Sequence, residues 1–367
     1  MIKTRFLLVF GLEPWLLPPA IEFTTSLNQL GYTTKLLYIG LEGNKGDLPN
    51  ELNFECVFRG KGIWQRLRDQ STLSAKISKE KFDYVIACDL VALQSVFFSN
   101  IPKKKVIFWA FEVYEKPKKL QFSFDFLRLL NLGLLVRGIQ CIIFPSASRR
   151  DRFIKEYRST TPTQVIYNTR CVSGSRLNLK KYEAEKPGSC ATIKIVYSGR
   201  FSPSQFADEI LESSRFLPEG YKLIICGIAS PSYIEKMRFI PQVEYLGRLD
   251  LHSMTELLIN CDIGLCLYNR ALSIENYDPA PNKVSDYIAS GLRILSTDQS
   301  YLKQIVKDNK IGIDITDVTP SAITESIVAI SHSDGLLSKE EIISFHREKF
   351  NMNIETINFL DRLKAHK

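Results

Sequence analysis

The sequence predicts an α/β protein of two doubly wound halves, each a mostly parallel sheet with helices on both faces. Three observations carry this expectation. Short β-branched and aromatic runs alternate with helical patterns along most of the chain, and strands separated by helices pair in parallel. A polar tract from Cys171 to Cys190, with Arg176-Leu177-Asn178-Leu179-Lys180-Lys181 at its centre, separates two such alternating sets. The length of 367 residues exceeds one ordinary domain and suits two of about 150 to 200 residues each.

The elements follow in order. A first strand is predicted over Phe6–Phe10, and Glu13-Pro14-Trp15 leads from it to a helix ending near Leu30-Gly31. A strand over Thr34–Tyr38, an irregular segment and a basic helix from about Trp64 to Lys79 come next. Strands are then expected at Tyr84–Cys88, Val106–Trp109, Ile139–Phe144 and Thr163–Ile166, with helical patterns between them. The second set has strands at Ile193–Tyr197, Lys222–Cys226, Val243–Tyr245, Ile263–Cys266 and Arg293–Ser296. Its helices are expected at Phe206–Arg215, Ser232–Phe239 and Ser253–Asn260, with one more that carries Asp286 and ends at Gly291. The expected domains are residues 1–170, a linker 171–190, a second domain 191–345, and a C-terminal stretch 346–367 whose amphipathic part packs back on the first domain. Two Rossmann-like halves with a cleft between them is the predicted architecture.

Composition narrows the class. Hydrophobic content of 45% and charged content of 24% are those of a globular protein. A net charge of +8 implies an anionic partner without naming it. Nucleic acid is not expected, because no recognition module is present and the cations are dispersed rather than set beside aromatics. The eight cysteines stand singly, without metal-ligand spacing, as buried free thiols of a reducing cytosol would. The start, Met1-Ile2-Lys3-Thr4-Arg5 before Phe6-Leu7-Leu8-Val9-Phe10, imitates a signal peptide, but Glu13-Pro14 interrupts it before any small-residue cleavage site. No run reaches the ~18 apolar residues of a membrane-spanning helix; the longest candidate, Leu129 to Phe144, is broken by Asn131, Arg137 and Gln140.

The richest segment runs from Asn276 to Thr297. Asp278 and Asp286 flank seven residues that include the Pro281-Asn282-Lys283 helix start. In open α/β sheets ligands bind beyond the carboxyl ends of the strands. Free N–H groups at a helix start favour phosphate there, and a carboxylate one or two turns on can accept hydrogen bonds from sugar hydroxyls. The segment therefore reads as a nucleotide-sugar site. Two plainer readings stay open: Asp286 as a first-turn residue complementing the helix dipole, and Asp278 as an Asx-type turn before Pro279.

With these residues in place the chain resembles GT-B glycosyltransferases, specifically retaining family 4 enzymes, most strongly from about Ile193 to Ile305. Tyr197-Ser198-Gly199-Arg200 is similar to the family's strand-end Gly-Arg that meets the donor diphosphate. Val243-Glu244-Tyr245-Leu246-Gly247 resembles the turn that holds the base, and Asn168 matches a family position at the end of the first domain. Asp278 and Asp286 resemble the family's paired glutamates seven residues apart.

The resemblance implies a hexosyltransferase that uses a nucleotide-diphosphate sugar and a glycan or lipid-linked acceptor, in surface polysaccharide synthesis. Arg200, Asp278 and Asp286 would be catalytic. Gly199, Arg200, Gly247, Asn282, Lys283 and Asp286 would bind the donor, with Asp286 on ribose and Asp278 on the sugar. Glu13, Trp15 and Glu112 follow first-domain strands, where an acceptor should enter. No D-x-D occurs, so no metal and no cofactor beyond the co-substrate is expected.

Three departures bear on this. Aspartates stand for both glutamates. Ser202-Pro203-Ser204-Gln205 stands where a lysine commonly follows Gly-Arg, which leaves Lys283 as the candidate second cation. No histidine precedes His252, so the first-domain histidine of many relatives has no match. Retention fits that loss, because the leaving phosphate itself can take the acceptor proton; inversion would need a base such as Glu112 or Asp89. The departures equally suit a partner subunit that binds nucleotide without turnover. A sugar-nucleotide epimerase shares the fold but not this carboxylate pair.

Two basic, apolar stretches suggest peripheral contact with an anionic membrane at the cytoplasmic face. One is the Ile63-Trp64-Gln65-Arg66-Leu67-Arg68 helix start; the other has Lys103, Lys104, Lys105, Lys116, Lys118 and Lys119 around the apolar Phe122–Leu135 region.

Overall fold

The computed structural model describes residues 4–41, 49, 51–60, 62–115, 131–172, 192–277 and 279–365. Asp278, Lys116, Lys118, Lys119 and most of the polar tract after Cys171 lie outside the described residues. The chain divides into two compact units, Met1–Cys171 with Met352–Lys367, and Val172–Asn351.

The first unit is a seven-stranded sheet in the order β3-β2-β1-β4-β5-β6-β7. Its strands are β1 (Arg5–Phe10), β2 (Thr33–Gly40), β3 (Phe54–Phe58), β4 (Tyr84–Ala87), β5 (Val106–Trp109), β6 (Cys141–Phe144) and β7 (Thr163–Val165). Every pairing is parallel. A parallel sheet covered on both faces needs strands apolar on both sides. β1 meets this: Phe6, Leu8 and Phe10 enter one core and Leu7 and Val9 the other.

The Phe6 face is covered by the Pro18–Gln29 helix and by the last helix, Met352–Ala365, which supplies Met352, Phe359, Leu360 and Leu363. Phe23 joins them edge-on, 5.1 Å from Trp109 and 5.3 Å from Phe359 between ring centroids. The opposite face is covered by the Ile63–Lys79 and Leu90–Phe98 helices through Leu73, Ile77, Ala92 and Val96.

The second unit is a six-stranded parallel sheet in the order β10-β9-β8-β11-β12-β13. Its strands are β8 (Ile193–Phe201), β9 (Tyr221–Ala229), β10 (Val243–Gly247), β11 (Ile263–Cys266), β12 (Arg293–Thr297) and β13 (Gly312–Ile315). Both sheets reverse direction of winding once, between β1 and β4 in the first and between β8 and β11 in the second. Such a reversal opens a crevice beyond the carboxyl ends of the two strands.

Two strands depart from the sequence expectation. β3 was read as irregular chain, and β13 was not foreseen. Both are edge strands with half-buried residues and a carboxylate in mid-strand, Glu55 and Asp314. Charge on an edge discourages pairing with another chain, and it also breaks the apolar run by which a strand is recognised.

Candidate functional site

The winding reversal of the second unit holds a cleft of about 400 Å³ lined by residues from four places in the sequence. Tyr197, Ser198, Gly199 and Arg200 come from the end of β8, and Gln205 from the turn after it. Met254 comes from the Leu251–Ile259 helix and Tyr268 from the loop after β11. Pro281, Asn282, Lys283 and Asp286 come from the start of the Asn282–Ala289 helix.

The crevice opens because β8 outruns its neighbour. β11 pairs with β8 only at Ile263 with Ile195 and Gly264 with Val196, whereas β9 follows β8 through to Phe201. Tyr287 fills the split. Its hydroxyl accepts from the Ser198 backbone N–H at 3.0 Å and from the Ser198 hydroxyl at 3.1 Å, and donates to the Leu265 carbonyl at 3.4 Å. Gly264 makes room for that ring, because a Cβ there would overlap it. Gly199 has a left-handed φ of 117°, and its partner Gly227 one of 128°. A Cβ on Gly227 would collide with the Gly199 carbonyl, so only glycine permits this approach of β9 to the floor of the cleft.

The cations are placed for an anion. Arg200 is exposed and has no ion-pair partner among the described residues. The Lys283 ammonium lies 4.0 Å from the centroid of the Tyr197 ring and 5.6 Å from that of Tyr268, again with no carboxylate partner among the described residues. Burial without a counter-ion pushes its pKa down to about 8. The aromatic faces offset part of that cost by cation–π attraction. The adjacent helix begins at Pro281 with no side-chain cap, so its first N–H groups and dipole face the same cleft. Two cations and an uncapped helix start are the kind of groups that can hold an anion.

Of the expected donor residues, Gly199, Arg200, Asn282, Lys283 and Asp286 meet in this cleft. Gly247 does not line it; it ends β10 at a register shift with φ of 67°. Where a lysine was missing after Gly-Arg, Gln205 lines the cleft, held by the Ser202 hydroxyl at 2.6 Å.

Several contributions were not read from the sequence: Tyr268, Met254, Tyr287 and the Tyr197 ring face that meets Lys283. A further pair, Asn276 and Gln299, ties down the short Ile274–Tyr277 helix. Asn276 donates to the carbonyls of Ser204 and Asn269, and Gln299 to those of Tyr268 and Asn276. Buried amides of this kind have no periodic signature; only the crowding of Asn, Asp and Pro near residue 280 hinted at a built loop.

In the first unit Glu13 is 7% exposed and faces Arg59 at 3.6 Å. Trp15 packs edge-on against Tyr38 with centroids 5.8 Å apart, and Glu112 is exposed. Asp89 caps the Leu90–Phe98 helix, accepting from Ala92 N–H at 2.8 Å with one oxygen and from Gly11 N–H at 2.6 Å with the other. Among the described residues no three His, Cys, Asp or Glu side chains cluster as metal ligands.

No protein-family model matches the chain, and no curated protein matches it in sequence. Solved structures do match in shape. HepE of Anabaena, determined in complex with UDP and glucose, superposes with a TM-score of 0.72 at 14% identity, over 99% of this chain and 100% of that one. Sucrose-phosphate synthase from Thermosynechococcus elongatus gives 0.72 at 12% identity, over 100% of both chains. WaaG, a glycosyltransferase involved in lipopolysaccharide biosynthesis, gives 0.66 at 14%, over 98% and 100%. The chain therefore has the GT-B fold, with two Rossmann-like units of parallel sheet.

Proposed function

We propose that the protein is a glycosyltransferase that moves a hexose-type sugar from a nucleoside-diphosphate donor to a glycan or lipid-linked acceptor in surface polysaccharide synthesis. The carrying observation is the anion site at the winding reversal, where Arg200, Lys283 and the uncapped Asn282 helix start converge without a counter-ion among the described residues. Neighbours of the same fold supply the ligand class, since one was solved with UDP and glucose.

On this reading the diphosphate lies against Arg200, Lys283 and the helix start. Breaking the anomeric bond puts negative charge on that diphosphate, and fixed donors in a poorly hydrated cleft stabilise developing charge strongly. Asp286 accepts hydrogen bonds from the ribose, and Asp278, next in chain to the Ile274–Tyr277 helix, from the sugar. Gly199 lets the backbone approach the diphosphate, and Gly247 shapes the turn towards the base.

Retention of configuration is the favoured course. No histidine precedes His252 and Asp89 is engaged as a helix cap, which leaves Glu112 as the base inversion would need and the departing phosphate itself as the base for retention. Glu13, Trp15 and Glu112 border the acceptor side, and neither metal nor further cofactor takes part. A cytoplasmic position against an anionic membrane suits a lipid-linked acceptor. No disulfide joins the described cysteines, as in a reducing compartment, and no described helix is long and apolar enough to cross a membrane.

The test is a thermal-shift titration with UDP, GDP and ADP on the wild type and Arg200→Ala. A ligand that binds the fold raises stability by RT ln(1 + [L]/Kd). One nucleotide should stabilise the wild type and not the variant; no stabilisation by any would refute the donor site. The replacement of the usual lysine by Gln205 favours a second reading, a binding subunit without turnover. It would show the same shifts but release no nucleotide from any donor sugar.

A further inference from the structure

Exposed large apolar side chains gather at one place in the first unit, the carboxyl ends of β1, β2 and β3. Leu16 after β1 is 56% exposed, Leu41 after β2 54%, and Phe58 at the end of β3 56%. Trp64 and Leu67, one turn apart at the start of the Ile63–Lys79 helix, are 82% and 39% exposed. An indole this bare costs free energy in water, because its body is apolar.

These residues form a continuous edge. Glu13 reaches from the β1 loop to Arg59, and Arg59 N–H donates to the Gly40 carbonyl at 2.7 Å, next to Leu41. Gly60 N–H donates to Asp69 at 2.9 Å, and Asp69 also accepts from Gln65 at 2.9 Å. Gln65 lies directly over Gly60, where a Cβ would overlap it. Gly60 is thus tied to the first turns of the helix that carries Trp64.

The charge beside it is positive and free. Arg66 and Arg68 are exposed and have no acidic partner among the described residues. The other basic stretch differs in place. Phe97 and Phe98 end the helix after β4, so they lie at the amino end of the sheet. Lys103 beside them already donates to the Arg137 carbonyl at 2.9 Å and sits over Phe97.

We propose that the carboxyl-end edge of the first sheet, with Trp64 and Leu67 inserted and Arg66 and Arg68 on headgroups, is a docking face for an anionic lipid bilayer. Aromatic and aliphatic side chains enter the interfacial layer while the arginines meet lipid phosphates. The sheet edge that docks is the edge at which β1 opens its crevice, so the bilayer would present an acceptor with a lipid tail beside Glu13 and Trp15. That last step rests on the glycosyltransferase reading; the docking face itself does not.

The test is co-sedimentation of the full chain with phosphatidylcholine vesicles, with and without phosphatidylglycerol, alongside the UDP thermal shift for each variant. The wild type should bind the anionic vesicles and leave them as salt rises. Near a charged surface each basic residue adds about fivefold in partition, so Arg66→Gln with Arg68→Gln should weaken binding roughly 25-fold. Trp64→Ser with Leu67→Ser should abolish it, and both variants should keep their nucleotide shift. Trp64→Phe should remove the blue shift in tryptophan emission on adding vesicles.

Phe97→Ser with Phe98→Ser should bind as the wild type does. Loss of binding only in this last variant would move the docking face to the other end of the sheet and overturn the proposal. So would absence of vesicle binding in a wild type that still binds nucleotide, or a dimer that Trp64→Ser dissolves. Vesicle binding without any nucleotide shift would instead leave the docking face standing and remove the donor-site reading.

Discussion

Arg200 and Lys283 share a cleft but do different work. Arg200 is exposed at the strand end, so its removal deletes a fixed donor to the leaving diphosphate. Losing one such donor costs about 3 kcal/mol, and turnover of Arg200→Ala should fall about a hundredfold or more, measured as nucleotide release. Lys283 is titratable in the working range. Burial holds its pKa at about 8, and a diphosphate beside the ammonium must raise it, so binding above pH 8 takes up a proton. Affinity should be flat below pH 8 and weaken about tenfold per unit above it, until the pKa of the complex is passed. Lys283→Arg should keep the affinity and lose the slope, whereas Lys283→Met should lose both. Titration calorimetry in buffers of different ionisation enthalpy would read the proton directly. A slope unchanged in Lys283→Met would assign the proton elsewhere.

At the scale of elements, how a strand is covered decides how legible it is. β1 announces itself as an apolar run because both of its faces are buried, and β8 and β9 do so through the buried stretches Ile195–Tyr197 and Leu223–Cys226 at their centres. β3 and β13 do not, because an edge strand can afford Glu55, paired with Lys35 and Lys76, and Asp314, paired with Lys307. The same logic divides the cleft. Gly199, Arg200, Asn282 and Lys283 were legible because each sits at a strand end or helix start with its own local chemistry. The Tyr197 and Tyr268 faces around Lys283 were not, because two separate strands bring them together and either ring alone reads as core. Tyr287 was hidden for the same reason, as a buried residue in an amphipathic helix. It joins the Asn282–Ala289 helix to β8 and β11 through one hydroxyl. Tyr287→Phe would strand the Ser198 N–H and hydroxyl, a cost of about 1–3 kcal/mol. Urea unfolding should show that loss, together with weaker nucleotide binding. Unchanged stability would mean that Ser198 finds another partner.

Across the whole molecule the chain crosses from the first unit to the second and returns, so the first unit is completed by its last helix. Met352 N–H donates to the Arg170 carbonyl at 2.9 Å where the chain re-enters. Met352, Phe359, Leu360 and Leu363 then bury against the Pro18–Gln29 helix and the sheet. Four such side chains contribute together roughly 6–12 kcal/mol, comparable with the whole stability of a domain, about 5–15 kcal/mol. A chain ending at Asn351 should therefore lose the first unit's cooperative unfolding transition while the second unit keeps its UDP-induced shift. Retention of both transitions would show that the sheet does not need this helix. Glu355 makes the same docking sensitive to pH. Burial lifts its pKa from 4.5 to about 7, although the Tyr167 N–H and Arg362 pull the other way. A carboxyl raised in the folded state binds its proton more tightly there than in the unfolded chain. Its contribution is full below about pH 4.5 and is lost as pH rises through 7. Glu355→Gln stays neutral, so it should leave stability at pH 5 nearly unchanged and raise it at pH 8 by at most about 3 kcal/mol. Thermal melts of both proteins at the two pH values decide it: an equal midpoint at pH 8 would mean that Glu355 is ionised and satisfied in the folded helix.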